Sequence, residues 1–441
     1  MAESRADRTV LILYTTLYRE GGAKFERAAR TLEGEKRAEF PDRRVIRTAV
    51  ESKTSFLASI AAAGAAGAIA ELHFIGHSGM YGIMFGTTKW PEQMSPYEWR
   101  NQKIAFAPDA RVYFHACRTG RWFAPFFART FGVRTFGHFW YTTVSRVPHR
   151  FAWDALAGED TPTYIISVPG KKSHGLAGSL QKYLLRPRAY PMLEFAGERT
   201  EVDTTYDSVA PLYDETFEDI AVRQDELRWL RKNLAEMPAK PRVLDIGCGT
   251  GSFLRAIRDL AETADGVDLS AGMIAQAKRR SPSDAGLRYT KIDGPALPFP
   301  DESFDVVTSV LSFRYLDWDP ILKEILRVLK PGGKLMVIDM VVAPLKFADF
   351  PFLLRDKWKQ RRTLRRYPEY ARALKTMVTD PRWKKMLEFN PIRSEHEMKW
   401  YLESRFPKGR LEIINYGWNS RVVAFQSGPI FEKTAMELSY P

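Results

Sequence analysis

The sequence predicts two α/β domains in succession, each built on a sheet of largely parallel strands flanked by helices. Apolar, β-branched runs alternate with helical patterns from Thr9 to Trp140, and the same alternation restarts after residue 205. Such alternation is typical of parallel sheets, in which a helix connects each strand to the next. Residues 186–205 lose this periodicity and contain two prolines. We therefore expect a domain over residues 1–185, a linker over 186–205 and a second domain over 206–441.

The composition excludes several classes of protein. Of 441 residues, 45% are hydrophobic and 27% charged, which argues against a disordered chain. Two cysteines, Cys117 and Cys248, cannot form a disulfide framework, so we expect a reducing, cytoplasmic location. We find neither a signal peptide nor a membrane-spanning run. The net charge of +13 is spread along the chain rather than packed into one tract, so we do not expect nucleic acid as a partner.

The first domain begins with a strand and a helix, and the pattern then repeats. We predict a short hairpin at Met80–Gly86. The predicted strands are Thr9–Tyr14, Arg44–Val50, Leu72–Ile75, Ala110–Ala116 and Val133–Trp140, and the predicted helices are Ala23–Leu32, Thr54–Ala70 and Trp122–Thr130.

Two of these strands end in reactive side chains. His77 follows the third strand and Cys117 follows the fourth, and α/β sheets place their sites at such carboxyl ends. A histidine base beside a cysteine nucleophile suits thiol catalysis. With its strand ending in Ala116-Cys117, residues 72–141 resemble the caspase-like (clan CD) cysteine peptidases, which implies His77 and Cys117 as a catalytic dyad. Ser78 stands where that family has glycine.

Other interpretations of this domain stay open. A hydrolase elbow at Gly76-His77-Ser78 lacks its final glycine, since residue 80 is Met80. A metal site from His73, His77, His115 and Cys117 requires strands buried on both faces, and we expect no metal. A degenerate domain that binds a protein partner is the third possibility.

A glycine-rich loop opens the second domain. The strand Val243–Ile246 leads into Gly247, Cys248, Gly249, Thr250 and Gly251, and a helix follows from Ser252. This arrangement lets the backbone approach a ligand at a helix N-terminus. A dinucleotide fingerprint has its third glycine where this chain has Ser252. Asp245 repels a pyrophosphate but suits the ammonium group of an amino-acid cofactor.

Further motifs follow in order. Asp268 ends a second strand and is placed to accept from ribose hydroxyls. Met273 is positioned to pack near an adenine, and Asp293 to accept from its amino group. Ser309 is the last residue of the fourth predicted strand, Phe304–Ser309. The pattern continues with a helix at Leu326–Lys330, a turn at residues 331–333 and a fifth strand at Lys334–Asp339.

With the motifs VLDIGCGTG, VDLSAGM, LPFPDESFDVVTS and RVLKPGGKL in this order, residues 206–340 resemble class I S-adenosylmethionine-dependent methyltransferases, nearest the ubiquinone/menaquinone C-methyltransferases. The resemblance implies a Rossmann-like, seven-stranded sheet with S-adenosylmethionine as cofactor, and Tyr213 against that cofactor. The expected cofactor contacts are Tyr213, Asp245, Gly247, Cys248, Gly249, Thr250, Gly251, Asp268, Leu269, Met273, Asp293, Gly294 and Ser309.

An insert over residues 343–407 follows the fifth strand, where such inserts commonly cover the acceptor pocket in this class. Its aromatic and basic side chains suit an aromatic or an anionic small molecule; the aromatic candidates are Trp358, Tyr367, Tyr370, Trp383 and Trp400. We expect in-line methyl transfer, with Tyr315, Asp317 and His396 as candidate bases. The alternatives are a macromolecular methyltransferase with the first domain as docking module, and a cysteine peptidase or signalling protein.

Overall fold

The chain forms two compact units, Met1–Glu201 and Val202–Pro441. The computed structural model describes residues 8–19, 21–79, 81–87, 89–152, 161–168, 180, 183–199, 206–281, 286–390 and 392–431. Within these ranges no helix is both long and apolar enough to cross a membrane.

The first unit contains a six-stranded sheet in the order β10-β7-β6-β3-β1-β2, parallel except for the edge strand β10. Two small antiparallel pairs, β4–β5 and β8–β9, lie outside it. The strands are β1 Arg8–Thr15, β2 Arg44–Val50, β3 Ala68–Ile75, β4 Met84–Gly86, β5 Pro91–Gln93, β6 Phe106–His115, β7 Arg134–Gly137, β8 Thr142–Ser145, β9 Tyr164–Ser167 and β10 Leu193–Phe195.

Four helices are described in this unit: α1 Gly22–Glu39, α2 Lys53–Ala65, α3 Pro96–Arg100 and α4 Phe123–Phe131. Reciprocal hydrogen bonds between Ser52 and Ser55 begin α2, and those between Ser95 and Glu98 begin α3. An aromatic-rich core that includes Phe56, Phe74 and Trp99 fills one side of the sheet, and α1 packs with a smaller cluster. The sheet is thus buried on both faces, as parallel sheets require.

The structure corrects four of the predicted elements. The helix predicted to Ala70 ends at Ala65, because Ala68 and Ile69 pair with neighbouring strands. The strand predicted to Trp140 ends at Gly137. The hairpin pairs Met84–Gly86 with Pro91–Gln93, while Met80 lies outside the described residues. The predicted linker includes β10, since its backbone completes the edge of the sheet.

The second unit contains a seven-stranded sheet in the order β13-β12-β11-β14-β15-β17-β16, which confirms the Rossmann-like prediction. The first five strands in this order are parallel, and β17 runs antiparallel to β15 and β16. The turn predicted at residues 331–333 lies within the long strand β15. The strands are β11 Arg242–Ile246, β12 Thr263–Asp268, β13 Leu287–Lys291, β14 Phe304–Val310, β15 Leu329–Val342, β16 Arg410–Tyr416 and β17 Ser420–Gln426.

Nine helices are described in the second unit. Four of them, α10–α13, occupy the insert between β15 and β16, and core clusters lie on the two sides of the sheet. The helices are α5 Ala210–Thr216, α6 Gln224–Ala235, α7 Ser252–Ala256, α8 Ala271–Arg280, α9 Trp318–Val328, α10 Phe350–Arg366, α11 Pro368–Thr379, α12 Pro381–Phe389 and α13 Glu395–Arg405.

Candidate functional site

The glycine-rich loop follows the central strand β11. Val267 of β12 accepts the backbone N–H groups of Gly247 and Cys248 at 2.8 and 3.0 Å, which pins the loop to the neighbouring strand. Helix α7 then begins at Ser252. The loop therefore lies at the carboxyl edge of the sheet, where open α/β folds bind ligands.

Two of the loop glycines serve different purposes. A Cβ on Gly247 would lie 2.5 Å from the Ser312 side chain, so glycine there is required by packing. A Cβ on Gly249 would meet only the Tyr213 ring, at 3.9 Å, although its φ of 53° is left-handed. The space beside Gly249 is open, and a ligand can approach the backbone at this point.

Asp245 is a buried carboxylate beside this loop. It is 2% exposed, and it accepts a hydrogen bond from the Thr308 hydroxyl at 2.7 Å. Burial raises its pKa to about 7. In the described part of the chain it forms no ion pair with Lys or Arg, and the Thr250 hydroxyl is buried without a partner. A carboxylate without a cation and a hydroxyl without a partner fit the zwitterionic end of an amino-acid cofactor.

Asp268 ends β12 on the other side of the loop. Its carboxylate accepts the Gly249 N–H at 2.9 Å and the Ser270 N–H at 2.8 Å, and it is half-buried. Burial raises its pKa. Because a carboxylate oxygen accepts more than one hydrogen bond, this group can hold the loop and still accept from hydroxyls.

The other predicted contact residues differ in how far their side chains are buried. The Ser309 side chain is fully buried, and its hydroxyl donates to the Ile246 carbonyl at 3.0 Å. Met273 is buried, Leu269 is 46% exposed, and Asp293 points outward in an ion pair with Lys291, with 89% of its side chain exposed. The structure thus brings Asp245, Asp268 and the loop together, and leaves Asp293 at the surface.

Tyr213, the side chain nearest the open side of Gly249, belongs to a group of four aromatic residues. We call this group, Tyr206, Tyr213, Tyr315 and Trp383, the aromatic cluster. Tyr206 lies 5.8 Å from Tyr315 and 6.1 Å from Trp383, between ring centroids, and Tyr213 lies 6.5 Å from Trp383 in a stacked orientation. Burial raises the pKa of Tyr206 well above its usual value, so its hydroxyl stays neutral. Of the insert aromatics, Trp383 reaches this cluster, whereas Trp358 is 62% exposed.

A buried ion pair, which the sequence did not predict, lies beside the Tyr315 ring of the aromatic cluster. The Arg314 guanidinium pairs with Asp339, and its backbone N–H donates to the same carboxylate at 2.6 Å. The guanidinium carbon also lies 4.3 Å from the centroid of the Tyr315 ring. The pair fixes the turn that carries Tyr315. Of the candidate bases, Tyr315 belongs to the cluster, and His396 is exposed on α13.

Comparisons with known proteins identify the family of this chain. Residues 244–337 match the family model of the methyltransferase domain. The chain is 30% identical to 2-methyl-6-phytyl-1,4-hydroquinone methyltransferase of Synechocystis over 233 residues, which cover 45% of the chain and 69% of that protein. The chain belongs to the S-adenosylmethionine-dependent methyltransferases. The cofactor of this family is S-adenosylmethionine.

Two further proteins are similar to shorter segments of this chain. The methyltransferase is 36% identical to demethylmenaquinone methyltransferase of Thermus thermophilus over 145 residues, 32% of the chain and 66% of that protein. The chain thus spans a little under two thirds of that relative. It is also 30% identical to an S-adenosylmethionine-dependent methyltransferase of known structure from Mesorhizobium loti, with 25% and 52% of the two chains covered and a TM-score of 0.23.

The first unit of the methyltransferase holds the predicted dyad residues. Ile75 and His115 are paired in register, so His77 and Cys117 each follow their paired strand by two residues. The Ser78 hydroxyl donates to the Cys117 carbonyl oxygen, and the Cys117 Sγ lies 3.2 Å from the Thr142 hydroxyl. The His77 ring lies 5.0 Å from that of Phe25. The two strand ends are joined through Ser78.

A buried polar chain, not predicted from the sequence, crosses the same sheet. Glu71 lies 3.0 Å from His73 Nε2, and His73 Nδ1 lies 3.2 Å from His115 Nε2. Lys36 pairs with Glu71, and the two partners lower the pKa of this carboxyl to about 2 despite its burial. Alternation along β3 and register with β6 bring these residues together.

Proposed function

We propose that the chain transfers a methyl group from S-adenosylmethionine to a small aromatic acceptor of the hydroquinone type. The aromatic cluster beside Gly249 carries this proposal, because flat, electron-rich rings bind well between aromatic side chains. Two relatives are named for the methylation of demethylmenaquinone and of a phytyl hydroquinone. The two cations that act on the Tyr213 hydroxyl are each paired with a carboxylate in the described residues, Arg314 with Asp339 and Arg223 with Glu226. This composition favours an aromatic over an anionic acceptor.

We assign the cofactor to Asp245, Gly249, Thr250 and Asp268. Bound S-adenosylmethionine supplies a methyl group that its sulfonium centre has already activated. Asp245 balances the ammonium group, the Gly249 backbone allows close approach, and Asp268 accepts hydroxyl hydrogen bonds while it holds the loop. We propose the remaining predicted contacts as the surrounding wall, apart from Asp293, which is exposed in an ion pair with Lys291 and is left out. The wall consists of Tyr213, Gly247, Cys248, Gly251, Leu269, Met273, Gly294 and Ser309.

The aromatic cluster orients the acceptor and excludes water. In-line displacement depends chiefly on alignment, so stacking against Trp383 and Tyr213 places the acceptor carbon or oxygen toward the loop. The neutral Tyr206 hydroxyl is a hydrogen-bond donor for an acceptor oxygen. The insert covers this site through α12, which carries Trp383.

Methyl transfer to a short-chain, water-soluble hydroquinone tests the proposal. We expect turnover with labelled S-adenosylmethionine, and a KM for the acceptor raised about tenfold by Trp383→Ala through lost stacking. Trp358→Ala, which removes an exposed tryptophan outside the cluster, is the matched control. A protein that binds the cofactor but methylates no hydroquinone would contradict the proposal, and transfer to protein or nucleic acid would favour a macromolecular acceptor.

We propose a caspase-like arrangement for the first unit, with His77 and Cys117 as its dyad and its surface as a docking site for a protein partner. The equivalent positions of these residues on neighbouring parallel strands support the arrangement. A thiol-reactive peptide probe should label Cys117, and His77→Ala should abolish labelling while Cys117 stays accessible to a small alkylating reagent. Labelling that persists in the His77 variant would exclude the dyad.

A further inference from the structure

We propose that the outward face of α10 docks the protein on a membrane surface that contains anionic lipids. Four apolar side chains follow one another at intervals of three and four residues: Phe347, Phe350, Leu354 and Trp358. They are 94%, 42%, 64% and 62% exposed, respectively. This spacing places them on one side of the helix and the turn before it. We call these four residues, together with Trp418, the docking face.

The docking face continues into a basic segment. Arg361, Arg362 and Arg365 extend the same stripe toward the end of α10, and all three are exposed. Helix α10 contains seven basic residues and one acidic residue, Asp356. In the described part of the chain, the arginines from residue 361 to residue 366 form no ion pair with a carboxylate. Their charge is therefore available to an external anion.

The opposite face of α10 is held by the sheet. Leu353 is fully buried, and the buried Asp356 accepts the Tyr416 N–H at 3.0 Å and pairs with Arg355. Phe352 stacks on Tyr416 at a centroid distance of 5.2 Å. Trp418, 57% exposed, lies 6.4 Å from Phe350 and widens the docking face. The inner face of the helix is therefore packed against β16. Among the described residues, the apolar outer face contacts only members of the docking face and Arg362, which lies over the Trp358 ring.

The chemistry of the outer face selects a bilayer interface. Tryptophan, phenylalanine and leucine that insert at the headgroup level, followed by arginines, are typical of helices that lie in the membrane plane. Anionic headgroups attract such arginines through a surface potential that salt screens. An acidic protein would satisfy the arginines but would leave the apolar side chains to be covered separately.

The location of α10 links this surface to the proposed acceptor site. Helix α11 packs between α10 and α12, and α12 carries Trp383. If the acceptor is a hydroquinone with a long apolar tail, docking presents the pocket to the phase in which that acceptor dissolves. This step rests on the proposed function, whereas binding to the membrane does not.

Sedimentation of the full chain with lipid vesicles tests the proposal. We expect binding to vesicles of phosphatidylcholine mixed with phosphatidylglycerol, weaker binding to phosphatidylcholine alone, and release by salt. Replacement of Arg361, Arg362 and Arg365 by Gln should weaken binding on the order of 100-fold. The double variant L354S/W358S should weaken it comparably, whereas Leu184→Ser, which removes an exposed leucine of the first unit, should not.

Several results would overturn the proposal. These are no binding to anionic vesicles, equal binding to neutral ones, and binding that survives both sets of substitutions. Binding of an acidic protein that resists L354S/W358S would assign the face to that class of partner instead. The protein variants used in the vesicle experiment should keep their affinity for S-adenosylmethionine and their turnover of a short-chain hydroquinone. Failure of that turnover in the unmodified chain would count against the proposed function and leave docking intact.

Discussion

Both units are built on a largely parallel sheet flanked by helices, and they differ in what lies at the carboxyl edge of that sheet. In the second unit the edge is open at Gly249, and the Thr250 hydroxyl beside it is buried without a hydrogen-bond partner in the described residues. The Asp245 carboxylate accepts from Thr308 but is not paired with a cation among those residues. In the first unit, Ser78 bridges to the Cys117 carbonyl oxygen, and Thr142 contacts the Cys117 thiol. A strand end alone does not define a ligand site. In the second unit it is the open space at Gly249, next to a hydroxyl that is buried without a partner in the described part of the chain, that leaves room for a ligand.

The units also differ in their buried titratable groups. Burial raises the pKa of Asp245, a group near the open crevice, and lowers the pKa of the imidazoles His73, His115 and His138 inside the first unit. The carboxylate is available to a cationic ligand, but the imidazoles are enclosed by protein. Four experiments test this difference, from the largest expected effect to the smallest.

Asp245→Asn should weaken S-adenosylmethionine binding about 100-fold, because it removes the charge that balances the ammonium group. Because the pKa of Asp245 in the free protein is about 7, the unmodified chain should lose about tenfold in affinity per pH unit below that value. The variant should show a flat profile over the same range. Calorimetry measures both. Asp293→Asn is the comparison, and its exposed carboxylate predicts less than about a threefold change.

His138→Leu should reduce the acid sensitivity of the first unit by the share that this histidine contributes. The pKa of His138 is about 4 in the fold, against 6.5 as the ordinary value, because burial disfavours its charged form. Unfolding therefore takes up a proton as pH falls below 6.5, and stability declines from there toward pH 4. The loss should be about 2 kcal/mol between about pH 7.5 and about pH 5.

Urea unfolding at each pH, monitored through hydrogen exchange of the β6 and β7 amides, measures this loss of unfolding free energy. His149→Leu, which removes an exposed histidine, is the matched control and should keep the acid sensitivity of the unmodified chain. An equal slope in the His138 variant would place the sensitivity elsewhere, in His73 and His115.

Gly249→Ala should fold and still bind the cofactor about tenfold more weakly. Its Cβ enters open space, and its left-handed backbone costs about 1 kcal/mol for alanine. Gly34→Ala is the counterpart in the first unit: no atom lies within 4 Å of its Cβ, and it should stabilise α1 slightly without any effect on affinity. Unchanged cofactor affinity in the Gly249 variant would show that no ligand approaches that backbone.

Iodoacetamide should alkylate Cys117 before Cys248. Cys117 is partly exposed, whereas Cys248 is buried and burial raises the pKa of its thiol well above its usual value. Peptide mass analysis assigns the modified residue, and Cys117→Ser should remove the early label. Faster reaction at Cys248 would mean that the loop opens more readily than the first unit does.

Motifs within one stretch of chain were the most predictable features. The strand and glycine loop from Val243 to Gly251, the strand that ends at Asp268, and the alternation of strands and helices all appear in the structure. Element ends were less predictable: Ala68–Ala70 suit a helix by composition, but they form part of β3 because neighbouring strands supply partners there. Leu193–Phe195 are too short a segment to show a period of their own.

By itself the sequence determined the α/β fold class, the glycine-rich loop after β11 and the family, because backbone preferences and glycine requirements are carried by neighbouring residues. Only the tertiary structure decided which aromatic side chains form one cluster and that Arg314 pairs with Asp339. It also decided that Glu71, His73 and His115 form one chain and that Trp358 faces outward. These contacts join residues far apart along the chain. Their geometry depends on strand register and helix packing, which set side-chain direction only after the chain has closed on itself.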